Sequence, residues 1–208
     1  MSDAHIAGWL LIGAAASSLV AATMPSLARS SVWMLPLPDY FRVIAAHETQ
    51  WRAHSWLFAV GTLLMGLGLT FAGRTIGSGL VLASLFLYVM VAPLWLAHLA
   101  FRLDLTVKAA RDESARGLFD ALGHWAGSLY TIFMVGSYVS IALLGGALIE
   151  SQLVPAWTAG VLVVFGSAAA VSHWTGWPRI MGMRGAFDLP VLVQLVPLFV
   201  AIPLAAGG

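Results

Sequence analysis

The chain has 208 residues, 60% hydrophobic and 9% charged, with a mean hydropathy of +0.90, whereas an ordinary soluble domain carries roughly a quarter charged residues. A water-soluble fold could not hide that much apolar surface. The absence of cysteine removes disulfides, thiolate zinc sites, iron–sulfur clusters and cysteine nucleophiles, and a net charge of +1 without a dense basic run removes nucleic acid as a partner.

A helix needs about 20 apolar residues to cross the ~30 Å hydrocarbon layer of a bilayer. The first such stretch runs from Ala7 to Leu27. Its leader, Met1 to Ala7, holds Asp3 and no Lys or Arg, and its apolar run is longer than a secretory signal uses, so it is read as a membrane span. Pro36 and Pro38 then precede Asp39, an expected N-cap, after which Phe41, Ile44 and Ala45 alternate with Arg42 and Glu48. This amphipathic segment leads into a second span, His54 to Ala72, followed by Arg74 and a third span, Ile76 to Phe101. Between Asp104 and Leu122, Leu105, Leu118 and Phe119 mix with Lys108, Arg111, Glu113 and Arg116. That pattern predicts a helix lying along the interface or extending the third span. The remaining spans are Trp125 to Ile149, closed by Glu150, then Val154 to Trp177, and Leu189 to Ala206. The expected fold is therefore all-α: one transmembrane domain over residues 1–208, an integral membrane bundle of six helices.

Six crossings place both termini on one side with the short connections around Arg74 and Glu150. The three longer connections, on the other side, hold Arg29, Arg42, Arg52, Arg102, Lys108, Arg111, Arg116, Arg179 and Arg184, every basic residue except Arg74. The positive-inside rule makes that face cytoplasmic, so the expected location is the cell inner membrane, with both termini outside the cytoplasm. Tryptophans fall near the ends of the spans, where amphipathic rings sit at headgroup level.

His54 opens the second span and His98 closes the third; His124 opens the fourth and His173 closes the fifth. All four lie at one depth near the basic face, and the separations His54–His98 and His124–His173 are nearly equal, which suggests a core of two related helical hairpins sharing a polar site. Helical spacing adds partners: His47, Trp51, His54 and Phe58 form one stripe, and Tyr88, Trp95, His98 and Arg102 another. Imidazoles from facing helices at matched depth are what a b-type haem or a transition metal requires. His54, His98, His124 and His173 are thus the candidate cofactor ligands, with Glu48 as a further metal ligand. A site at one depth suits electron exchange with a quinone or a cytoplasmic partner, or sensing, rather than transfer across the bilayer.

Two other functions fit the same residues. In the first the histidines only anchor helix ends by hydrogen bonds to backbone carbonyls, and the chain is a non-enzymatic membrane subunit or small-molecule carrier. In the second a metal-dependent enzyme acts on a lipid-like substrate with Glu48, Asp39 or Asp120 as acid or base. No span contains Asp, Glu, Lys or Arg, which argues against an ion-coupled transporter. Small-residue spacings such as Gly61 with Met65 and the run Gly166 to Ala170 predict close helix packing within the bundle or in a homo-oligomer. No metalloprotease, phosphate-loop or dinucleotide motif is present; His47-Glu48 lacks the second zinc histidine.

The stretch His47-Glu48-Thr49-Gln50-Trp51-Arg52-Ala53-His54 with the Leu/Gly-rich helix through Leu69, and the closing stretch Asp188-Leu189-Pro190 to Pro197-Leu198, resemble bacterial six-helix membrane proteins with no assigned activity. The resemblance implies the fold and brings no activity, cofactor or site residue with it.

Overall fold

A computed structural model describes residues 2–29, 32–176 and 195–206. Within them the chain is helical, without a strand. Helix α1 (Asp3–Ala22) is capped by Ser2, whose hydroxyl accepts from the His5 amide at 3.2 Å. Pro25 begins a short α2 (Pro25–Arg29), and a 3₁₀ turn, Val32–Met34, leads to α3 (Leu37–Ala46). Here Pro36, not Asp39, occupies the N-cap position. The Asp39 carboxylate instead pairs with Arg42 at 2.8 Å one turn on, because two prolines already set the helical entry.

The long helices follow. Helix α4 (Glu48–Ile76) ends at Gly77, which takes the left-handed φ of 64° that glycine adopts without strain. Ser78 then caps α5 (Gly79–Phe101). A π-helical turn, Arg102–Thr106, carries this rod into α6 (Val107–Arg111), so the segment after Phe101 extends the third span rather than lying along the interface. Asp112 breaks the helix, a 3₁₀ turn spans Glu113–Ala115, and α7 (Arg116–Ser151) follows. Gln152, at φ 55°, and Pro155 turn the chain into α8 (Ala156–Trp174), and α9 (Leu198–Ala206) is the last described helix.

The core is mainly apolar, and so is much of the outside. Ser18, His54, Thr62, Ser84, Arg102, Ser137 and Ser140 are inside, while Phe86 is 68% and Trp174 81% exposed, with many Leu, Val and Ile side chains beside them on the outside. A surface that carries so many large apolar side chains suits lipid. Five helices among the described residues are long and apolar enough to cross a membrane: Asp3–Ala22, Glu48–Ile76, Gly79–Arg111, Glu113–Ser151 and Ala156–Trp174. The sixth expected span, Leu189 to Ala206, lies partly outside the described residues. Its described part, α9, has nine residues and rises only about 14 Å.

The helices pack in a ring. Helix α1 lies on α4, α4 touches α5, α5 lies on α7, α7 on α8, and α9 sits between α8 and α1. The two hairpins are therefore unlike in packing: α7 and α8 share a close seam, whereas α4 makes its main contact with α1 and α5 with α7. Reciprocal hydroxyl bonds, Ser84 Oγ to the Ser140 carbonyl at 2.8 Å and Ser140 Oγ to the Ser84 carbonyl at 2.9 Å, join α5 to α7. An ion pair of Asp3 with Arg74 at 3.2 Å brings the N-terminus to the α4–α5 turn. At the opposite end Glu48 bridges Arg52 and Arg111, so the connections after α1 and α5 meet there, as the charge pattern predicts.

Candidate functional site

The bundle end that carries Glu48 is filled with aromatic rings around one buried cation. Along α5 and into the π turn that continues it, Tyr88, Trp95 and Arg102 recur every seven residues; all three are buried. Arg102 is 6% exposed. Its guanidinium packs against the rings of Trp33 and Trp51, 4.5 and 4.4 Å from their centroids, and the two rings also meet each other at 5.0 Å. Trp51 is fully buried at the start of α4 and donates its indole N–H to the Arg102 carbonyl at 2.9 Å. Trp33 comes from the 3₁₀ turn and stands only half-buried.

No ion pair among the described residues reaches Arg102, and its Nε and Nη2 are buried without a hydrogen-bond partner. Tyr40 of α3 sits edge-on to Trp51 at 5.7 Å. Burial pushes the Tyr40 phenol well above its ordinary range, and Arg102 and Thr106 offset only part of that. Tyr40 is thus a neutral neighbour, and no phenolate balances the guanidinium. Cation–π contact with two desolvated indoles stabilises the charge by about 2 kcal/mol or more per ring, against a desolvation penalty of several kcal/mol for an unpaired buried ion.

Three of the four candidate histidines join this cluster. His54 is 1% exposed, with its ring 5.5 Å from Trp33, 6.1 Å from Trp51 and 4.8 Å from Phe58. Phe58 continues to Trp95 at 5.8 Å, and Trp95 stacks on His98 at 5.1 Å with planes 10° apart. His98 meets Tyr130 at 5.6 Å, and Tyr130 leads to His173 at 6.4 Å. His124, by contrast, is exposed on α7. It shares the depth of the others but not their azimuth. Phe58 and Trp95 stand between the rings of His54 and His98, and Glu48 is occupied by Arg52 and Arg111. Among the described residues no three His, Asp or Glu side chains converge on a metal position.

The two inner histidines are each oriented by a neighbouring helix. His54 Nδ1 is 2.8 Å from the Ala21 carbonyl of α1, and His98 Nδ1 is 2.9 Å from the Ala126 carbonyl of α7. A carbonyl only accepts, so Nδ1 carries the proton in both rings and Nε2 presents a lone pair. That of His54 is buried and unpartnered. Deeper in the bundle a cleft of about 20 Å³, lined among others by Ser18, Thr62, Tyr88, Trp95 and Ser137, has room for a water molecule or two.

His47 and His5 stand apart from the cluster. His47 is exposed where α3 meets α4, and His5 accepts from Trp9 Nε1 at the other end of the bundle. The sequence stripe through Tyr88, Trp95 and His98 already pointed at Arg102. What sequence reasoning missed was its burial, together with the roles of Trp33, Tyr40 and Tyr130. The available signal was its spacing of four from His98 on that stripe, which marks an inward-facing cation rather than a solvated one. The chain matches no family model, no curated protein and no solved structure, so its function is argued from this site.

Proposed function

We propose that the chain is a six-crossing inner-membrane protein that binds a small ligand at the Arg102 box, as a carrier or sensor subunit, with the box at the cytoplasmic end of the bundle. The observation that carries this reading is a guanidinium buried against two indole rings with two of its donors unpaired. Apolar side chains of the same volume would fill that space with less desolvation. A cation kept there without a counter-ion among the described residues calls for a ligand that supplies acceptor oxygens. The orientation follows from the basic connections that meet at this end.

Ligand binding stabilises the folded state by RT ln(1 + [L]/Kd), about 2.7 kcal/mol at a hundredfold excess over Kd. The melting temperature of the detergent-purified protein is accordingly expected to rise with at least one of acetate, phosphate or sulfate relative to chloride at equal ionic strength. Arg102→Met is expected to melt at or above the wild type in chloride, because a buried unpaired charge is removed, and to lose the anion response. A wild-type melting temperature indifferent to every anion would overturn the proposal.

A second reading rests on the histidine geometry. Rings anchored through Nδ1 with a bare Nε2 are oriented as metal and haem ligands are, and His54 Nε2 is such an atom. On this reading His54 alone supplies the protein ligand to a b-type haem or a transition metal, since Phe58 and Trp95 separate it from His98, for electron transfer to a quinone or for sensing. A reduced-minus-oxidised visible spectrum with elemental analysis of the purified protein tests it. A haem band, or stoichiometric iron, zinc or copper lost in His54→Ala, is the expected result; a featureless spectrum without metal rejects it.

A further inference from the structure

The chemistry of the box narrows the ligand class, an inference that rests on Arg102 being the binding group. The two unpaired nitrogens are Nε and Nη2. On a planar guanidinium these form one edge, with parallel N–H bonds spaced to meet the two oxygens of a carboxylate side-on. Among the described residues Arg102 is the cation at this edge, since Arg52 and Arg111 are both held by Glu48. A phosphate, carrying up to two charges and three acceptor oxygens, would need further donors. His54 offers none, because its one N–H is given to the Ala21 carbonyl. The groups packed around the guanidinium are aromatic: the indoles of Trp33 and Trp51, which in turn touch the ring of His54 and the edge of Tyr40.

We infer that the ligand is an apolar monocarboxylate, docked side-on on the Nε–Nη2 edge of Arg102 with its apolar part against Trp33. The full chain, purified in detergent, is titrated with benzoate, with its neutral analogue benzamide and with phenyl phosphate, and binding is read by calorimetry. Benzoate is expected to bind one to one and at least tenfold more tightly than either of the others, as hydrogen bonds to a charged partner differ from those to a neutral one. Arg102→Lys keeps the charge but not the fork, and is expected to weaken benzoate at least tenfold. Should that variant not fold, the wild-type selectivity among the three probes decides alone.

Decanoate, carried in the micelle, identifies the source. Binding tighter than benzoate assigns a membrane-borne carboxylate, and the reverse order assigns one taken from water; either order is a monocarboxylate. Phenyl phosphate binding more tightly than benzoate would overturn the ligand class while leaving Arg102 as an anion site. Failure of every anion to bind would overturn both that class and the Arg102 reading beneath it.

Discussion

Replacing Trp51 with alanine is expected to destabilise the protein by about 3–5 kcal/mol, the range for truncating a large buried aromatic side chain. Trp51 is fully buried and contacts Trp33 at 5.0 Å, Tyr40 at 5.7 Å and His54 at 6.1 Å. It also carries two interactions with Arg102: the ring face stabilises the guanidinium and the indole N–H satisfies the Arg102 carbonyl at 2.9 Å. Alanine removes both and leaves a cation with one open face. Phenylalanine keeps a face but leaves the carbonyl unpaired, a loss of about 1–3 kcal/mol. The order of stability expected from denaturant or thermal unfolding in detergent is therefore wild type, then Trp51→Phe, then Trp51→Ala, and only the phenylalanine variant should retain the anion-linked rise in melting temperature. A Trp51→Ala protein that melts with the wild type would show that the box contributes nothing to the fold.

The second large effect is expected where α7 meets α8. A Cβ at Gly166 would stand 2.7 Å from the Tyr138 carbonyl oxygen and 2.9 Å from the Ala142 amide nitrogen, and one at Gly145 would stand 2.7 Å from the Ala159 carbonyl oxygen. These are backbone atoms, so no side chain can rotate away and the helices themselves must separate. Gly166→Val should therefore lie at the upper end of the range for overpacking, about 3 kcal/mol, and appear as a large fall in melting temperature. The displacement would also move His173 away from Tyr138, whose rings are 5.2 Å apart. Gly160 on the same helix is the control. Nothing lies within 4 Å of a Cβ there, so Gly160→Ala should be neutral or favourable by about 0.5–1 kcal/mol. Equal melting temperatures for the two variants would mean that the seam is looser than these distances.

What the sequence determined by itself was position along the membrane normal. Whether a stretch such as Val81 to Leu99 can cross a bilayer depends on its length and composition, and both are properties of the chain alone. The same holds for the end at which a charge falls: Glu48, Arg52 and Arg111 share one end of the bundle and Asp3 and Arg74 the other, as the order of spans and connections requires. The stripe of Tyr88, Trp95, His98 and Arg102 was legible too, as helical spacing. Azimuth and partnership were not. His124 has the depth of His54, His98 and His173 yet stands exposed while they join one aromatic cluster, because the direction a helical residue faces is set by which helices pack beside it. Arg102 counts in the sequence as one more basic residue of a connection. It becomes a buried cation because Trp33, from the turn after α2, and Trp51, from the start of α4, come together against its guanidinium. Such a contact joins residues far apart in the chain, and only the tertiary packing brings them together.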